Sequence, residues 1–508
     1  MMGQEKDKQG QLFYPSISFE ARIPYDHLLR KISKEIDFNF VYELVKDTYG
    51  SKGNISVPPP VILKMMLLLV LYNIPSEREL MRSIPLRIDW LWFLGYDLDD
   101  EIPNHSVLSK ARRRWGVKVF KILFERIVFQ CAKAGLVDGE KLFMDSSLVA
   151  ANASNNSIVN TQQLEQLYLE LETRLRKSSF YSLKTLSDEE KDKDKKKAEK
   201  SDISVNKKYS SKTDPDASVI RKGKGKPKLQ YQIHRGIDER CGVITATKAT
   251  KGEVNEAHLL PDLVLEHQKN TEQTIETVVA DKKYGTINNY LYCHENGINA
   301  HIKPLEQSQK NTGRQKGIIS RDEFIYNRDT DTFTCPAGHE LVRKKYKNTR
   351  NHYEYQASKV VCANCSIRSE CTRSKTGRTI KRHESQDVLD VMFERAYRLG
   401  SLSDIKKRQS FMEGNFAQGV KYGYKRSRWR GLWRNQIQEY LTASIQNMMI
   451  LVRNKPYNIC GARKRPDLYT YFLKMERKSR VFMDILKNIV MNIGNIFPIR
   501  IFQVEFVK

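Results

Sequence analysis

The sequence predicts an α/β protein: a mixed sheet with flanking helices, preceded by an all-helical region and interrupted by a small cysteine-rich insert. Three observations predict it. Residues 20–135 keep apolar side chains at helical spacing, the pattern of packed amphipathic helices. From Lys141 to Pro304, short apolar or alternating runs are interleaved with helical patterns, as in a sheet covered by helices. Four of the eight cysteines then crowd into Cys335–Cys371 and break that pattern.

Taken in order, Met1–Phe19 has no apolar periodicity and reads as a loose arm. Ile23–Thr48 sets Leu28, Leu29, Ile32 and Ile36 at helical spacing. Pro58-Pro59-Pro60 stops the chain and opens VILKMMLLLVLY, a buried helix with proline at its start. Glu77–Ile84 and Leu86–Leu94 continue the helical texture. Pro103-Asn104-His105-Ser106 caps a further helix, whose first turns carry Lys110, Arg112, Arg113, Arg114 and Trp115. In Lys141–Asn156 (KLFMDSSLVAANASNN) a short buried strand delivers Asp145 at its end. Leu164, Leu167, Leu171 and Leu175 mark a helix over Thr161–Lys177, packed on the core or on a second subunit. Ser187–Lys212, with its near-balanced EEKDKDKKKAEK, reads as a solvated, mobile segment.

Order returns at Lys228. KLQYQIHRGID and GVITATKAT are two strands turning at Asp238–Gly242. A helix over Gly252–Gln268, a strand ending at Asp281, a helix over Asn288–Asn296 and a strand over Ile298–Pro304 follow. Val388–Leu399 and Ile405–Val420 are helical, and Ile437–Val452 is a buried helix. The expected organisation is an arm (1–19), a helical DNA-binding domain (20–135) and a sheet domain (136–305 and 382–455, with a 157–227 insertion). A cysteine-rich insert (306–381) and a tail (456–508) complete it.

The chemistry centres on three acids. Asp145 follows Leu142-Phe143-Met144, and Asp281 follows Val278-Val279-Ala280, so one design occurs twice. An Asp after an apolar run is more often a turn residue or a helix cap; the repetition is what gives it weight. Glu413 lies in a helical pattern between Phe411-Met412 and Phe416. Two Asp and one Glu converging on one site can hold divalent cations for phosphoryl transfer. Two rival acids are weaker. Glu384 has no apolar face beside it, and Glu439 should point away from the Ile437/Leu441/Ile445 stripe, toward solvent or an arginine.

Charge supplies the partner. The chain has 87 Lys and Arg against 60 Asp and Glu, a net charge of +27, which points to a polyanion, most commonly nucleic acid. Lys421–Arg434 (KYGYKRSRWRGLWR) interleaves basic residues with Tyr422, Tyr424, Trp429 and Trp433 and has no acid. Basic heads reach phosphates while aromatic faces stack on bases. Arg112, Arg113, Arg114, Lys421, Arg426, Arg428 and Arg430 are the candidate DNA contacts. Cys335, Cys362, Cys365 and Cys371 are candidate ligands of one structural Zn²⁺, with His339 a possible substitute. No signal peptide is visible, and the longest apolar run, Val61–Tyr72, is too short to cross a bilayer. A cytoplasmic, nucleoid-associated protein with no membrane partner is the expectation.

Together these stretches resemble a DDE-class bacterial insertion-sequence transposase, over most of residues 20–455. VPPPVILKMMLLLVLYNIPSERELMRSI through IPNHSVLSKARRRW is similar to that family's N-terminal region. TDPDASVIRKGKGKPKLQYQIHRGID and GVITATKATKGEVNEAHLLPDLV resemble the sheet between its first two acids. VVADKKYG and INAHIKP match the surroundings of its second Asp, and FMEGNFAQGVKYGYKRSRWRGL its last acidic helix. The resemblance implies an RNase H-like core, two Mg²⁺ ions held by Asp145, Asp281 and Glu413, and cleavage and strand transfer at the ends of its own element. A homodimer on double-stranded DNA, both inverted-repeat ends and target, follows from the pairing of ends. Where the family places an arginine four residues before the Glu, Gln409 stands here with Arg408 adjacent. Its later basic residue is displaced by one, to Lys421. Two other classes share many of these features: a domesticated or inactive relative that only binds DNA, and an RNase H-like nuclease that cuts without joining.

Overall fold

The computed structural model describes residues 1–4, 18–161, 166, 169–171, 205–221, 223, 225–305 and 318–454. Most of the arm, of the helix expected over Thr161–Lys177 and of the charged run after Ser187 lies outside these residues, as does the tail beyond 454.

Helices at Leu28–Glu35, Phe40–Val45, Pro59–Leu71, Glu77–Ser83, Ile88–Leu94 and Ser106–Lys133 build the N-terminal region. Pro59–Leu71 is apolar on every side and buries nearly its whole length, which is why it carries no amphipathic stripe. Its first-turn proline lacks an N–H that a helix start leaves unpaired in any case. The Asn104 side chain accepts from the Ser106 backbone N–H at 2.9 Å and starts the last of these helices. That helix is broken at Gly116, with φ 63° and ψ −163°, a conformation open to glycine and closed to most L-residues.

The central sheet contains β1 (Lys141–Ala150), β4 (Ser218–Ile220), β5 (Lys228–Asp238), β6 (Ile244–Lys251), β7 (Thr277–Val279) and β8 (Asn299–His301). β5 pairs antiparallel with β1 on one edge, and with β6 and β4 on the other. β7 and β8 continue parallel to β1 on the far side, so the sheet is mixed. Two short strands, β2 (Ile158–Asn160) and β3 (Tyr209–Ser211), form a separate antiparallel pair.

Alternation along β1 sends Leu142 and Met144 to one face and Phe143 to the other. Leu142 and Met144 pack with Val278, Ala300, Leu260 and Leu389. Phe143 packs with Ile233, Ile237 and Val279 in a core that continues without a break into the N-terminal helices and the helix Leu432–Arg453. The helical region and the sheet therefore share one hydrophobic core. Its electrostatic counterpart is Arg235 on β5. This side chain has no solvent exposure and donates to Glu439 at 2.7 and 2.9 Å, to Asn415 at 2.8 Å and to Gln446 at 2.9 Å. These bonds tie the helices Leu399–Val420 and Leu432–Arg453 to the sheet. The expectation that Glu439 faces solvent or an arginine resolves to the arginine: the residue is buried.

Residues 325–383 hold the strands Ile325–Asn327 (β9), Thr332–Thr334 (β10), Glu340–Lys347 (β11), His352–Gln356 (β12) and Thr379–His383 (β13). They form a second, wholly antiparallel sheet, ordered β13–β12–β11–β10–β9. It has a small core of its own around Phe333, Leu341, Tyr355 and Ile380.

Candidate active site

Asp145 is not the end of its strand, as the sequence suggested. β1 runs five residues further because β5 continues to pair with it, through Ala150↔Gln230. What ends near Asp145 is the other partner: the parallel register with β7 stops at Phe143↔Val279. Asp145 therefore sits where the edge of β1 first opens, on the same face as Phe143. Its Oδ2 accepts from Arg408 Nη1 at 2.7 Å, and its Oδ1 from the Ser146 backbone N–H at 2.7 Å. Burial pushes the carboxyl above its ordinary range; Arg408 and the Ser146 amide pull it down, and the nearby charge of Asp281 pushes it up again.

Asp281 follows β7 by two residues and caps the short turn of helix Lys282–Tyr284, accepting from the Lys282 backbone N–H at 2.5 Å. The adjacent parallel strands thus bring the two aspartates within electrostatic reach of each other. Lys283 lies in the same field and donates to Glu256 at 2.6 Å. That hydrogen bond raises the ammonium above its ordinary range, with partial burial opposing it and the charges of Asp281 and Asp145 adding to it. Tyr284 is fully buried, and its hydroxyl has no hydrogen-bond partner. Burial drives the phenol well up, and the charges of Glu256, Asp145 and Asp281 reinforce the shift.

Glu256 was missed in the sequence. It is 5 % exposed and accepts from Ser146 Oγ and from Gln232 Nε2 as well as from Lys283. Its signal was available: an acid between Val254 and Ala257-Leu259, in an apolar setting that needs a counter-charge.

Glu413 lies on the helix Leu399–Val420, but on its exposed side. Gln409 Nε2 donates to it at 3.2 Å. From the same helix it is Arg408, 8 % exposed, one residue before Gln409, that reaches the Asp145 carboxylate. Phe411 meets Phe143 edge-to-face at 5.4 Å, and Met412 is buried. These contacts dock the helix on the sheet as its apolar residues suggested. Glu384 stands apart, accepting from the Tyr346 hydroxyl at 2.7 Å.

The expected DNA contacts divide into two sets. Arg112 is 3 % exposed, pairs with Glu77 at 2.5 Å and lies over the Trp429 ring at 4.0 Å. Arg428 donates to the Ile74 carbonyl and to Asn73. Both are corrections to the sequence expectation: the protein itself uses these guanidinium groups to join its N-terminal helices to the stretch after Glu413, so they are not presented to phosphates. Arg113, Arg114, Lys421, Arg426 and Arg430 are exposed. The stretch is held against β1 by the Ala150–Lys425 and Ser427–Ala150 backbone hydrogen bonds, at 3.0 and 2.8 Å.

Asp145 and Asp281 offer the hard oxygen donors that suit Mg²⁺. The desolvated Asp145 and the unpartnered Tyr284 hydroxyl fit a site that gains a polar ligand. Among the described residues, however, no three His, Cys, Asp or Glu side chains form a group that could hold a metal ion. Glu413 would have to join the aspartates. The thiols show the same contrast. Cys335, Cys362, Cys365 and Cys371 are free and surround one small cavity together with His339, but they do not form a ligand group. The expected zinc site is therefore not assigned.

Family comparisons bear on both ends of the chain. Residues 17–114 match a transposase domain model (DUF772), and residues 334–452 match a transposase DDE domain model. The first match covers most of the N-terminal helices; the second includes Arg408, Glu413 and the basic stretch behind them. No curated protein matches the chain. No helix of the described residues is long and apolar enough to cross a membrane. Two transposase models thus match in order, on either side of the paired aspartates, and support an insertion-sequence DDE transposase.

Proposed function

We propose that this transposase cuts DNA at the ends of its own insertion sequence and joins the released ends to a target, using Mg²⁺ held by Asp145, Asp281 and Glu413. The observation that carries the reading is the pairing of Asp145 and Asp281 at the open edge of one sheet, beside the helix that bears Glu413. An RNase H-like core is supported by the strand sequence β6–β5–β1–β7–β8, antiparallel on one side of β1 and parallel on the other.

In this reading Asp145 and Asp281 are the fixed ligands and Glu413 the one that closes on them. What Mg²⁺ supplies when bound is a lowered pKa for the attacking water or 3′-hydroxyl and stabilisation of the leaving oxygen. The protein's own side chains do the rest. Arg408 and the Ser146 amide fix the two oxygens of Asp145, as partners behind metal ligands generally do. Lys283, anchored by Glu256, holds positive charge beside the aspartates for an incoming phosphate. The Tyr284 hydroxyl is a donor aimed at no protein acceptor. Element ends come in pairs, so the protein acts on them as a homodimer.

The test is cleavage of a duplex carrying the element's terminal inverted repeat. Wild-type protein should nick it only with Mg²⁺ present. Asp145→Asn and Asp281→Asn should bind the duplex and leave it intact. Cutting at the wild-type rate by either variant would refute the assignment.

A further inference from the structure

Beside Asp145 the sheet opens into a groove of about 990 Å³. Its polar floor is formed by Ser146 on β1 and by Gln230 and Gln232 on β5. Among the described residues five cations line it: Arg221, Lys226, Lys228, Lys283 and Lys425. Arg221, Lys226 and Lys228 come from one basic run, RKGKGKPK over 221–228, and Lys283 and Lys425 from two distant parts of the chain. Among the described lining residues the one carboxylate, Glu256, is already engaged by Ser146, Gln232 and Lys283. The groove is therefore positive overall, and Lys226 and Lys228 are exposed.

We infer that this groove holds the sugar–phosphate backbone of the scissile strand as it leaves the Asp145–Asp281 centre, an inference that rests on the function proposed above. Two features commit it to that occupant. Lys283, which lines the groove, lies within electrostatic reach of both Asp145 and Asp281, so the groove adjoins the paired aspartates. Cations around a floor of hydroxyl and amide groups suit phosphates and sugars. The groove also supplies basic contacts that Arg112 and Arg428, already taken up by the protein, do not.

The test is end-DNA affinity over a range of salt concentrations, for wild type, Lys226→Glu/Lys228→Glu and a control, Lys359→Glu/Lys375→Glu, in the second sheet region. Lys226→Gln/Lys228→Gln repeats the measurement without introducing negative charge. Each lost phosphate contact removes about one unit from the slope of log affinity against log salt. Both groove variants should keep the wild-type melting temperature, show a slope shallower by about two, and bind at least tenfold more weakly at low salt. The control should match wild type. Groove variants that bind like a binding, cutting wild type would overturn the groove alone. So would an equal loss in the control. A folded wild type that neither binds nor cuts end DNA would overturn the functional proposal and the groove with it.

Discussion

Arg408 Nη1 lies 2.7 Å from Asp145 Oδ2, joining the helix that carries Glu413 to the strand that carries the first aspartate. The contact orients one carboxylate oxygen and offsets part of the cost of burying it. Asp145 is in this way prepared for a cation without being left alone in the core.

Removing Arg408 should therefore impair the chemistry more than DNA binding. Arg408→Ala is expected to slow single-turnover cleavage by about ten- to a hundredfold and to raise the Mg²⁺ concentration needed for half-maximal rate. End-DNA affinity should change little. Arg408→Lys should recover part of the rate, because it restores charge without the planar fork. An alanine variant with unaltered rate and Mg²⁺ requirement would show that the ion pair has no part in the reaction.

The Arg235–Glu439 pair makes a prediction of a different kind. Neither side chain is more than 1 % exposed, so losing one partner leaves a buried, uncompensated charge. Glu439→Ala should cost roughly 3–5 kcal/mol, read as a fall in urea midpoint. Loss of activity should follow loss of fold, not a change in metal dependence. A variant as stable as wild type would mean the pair contributes nothing to holding the two long helices.

Arg112 and its neighbours should separate cleanly. Arg112→Ala breaks a buried contact to Glu77 and Trp429 and is expected to destabilise by about 2–4 kcal/mol, with end binding of the folded fraction unchanged. Arg113→Ala/Arg114→Ala should keep its melting temperature and weaken binding. The reverse pattern would return Arg112 to the DNA surface.

Much of this was legible in the sequence, and the reasons differ between elements. The strands around Asp145 and Asp281 were readable because an apolar run ending in an acid occurs twice. The helix of Glu413 was readable from Phe411, Met412 and Phe416. The extent of β1 was not, since distant partners, β5 along its length and Lys425–Ser427 at Ala150, keep Ser146–Ala150 extended. The roles of Arg112 and Arg428 were not legible either. A basic run looks the same whether it faces phosphate or is spent on Glu77, Trp429, Ile74 and Asn73. Of the groove cations, Arg221, Lys226 and Lys228 stand in the run RKGKGKPK, and only the fold brings that run together with Lys283 and Lys425.

Glu266 supplies a test of pH dependence. Burial pushes its carboxyl up from 4.5 to about 7, with Lys121 and the Thr247 amide opposing the shift. A folded-state value above the unfolded one means that its favourable contribution is complete below about pH 4.5 and is lost as pH rises through about 7. The shift corresponds to at most roughly 3 kcal/mol. Glu266→Gln, which stays neutral, should therefore be more stable than wild type at pH 8 and close to it at pH 4.5, by thermal melting. Equal stability at both pH values would remove the burial cost from the account.

The central claim is that Glu413 completes the site, although in this conformation it is exposed and bonded to Gln409. The most direct measurement is Mg²⁺-dependent cleavage of inverted-repeat DNA by Glu413→Gln, run beside Glu384→Gln. The account predicts that Glu413→Gln binds the duplex with wild-type affinity and yields no cleavage, while Glu384→Gln cuts normally. Normal cutting by Glu413→Gln would contradict it and leave Asp145 and Asp281 in need of a different third ligand.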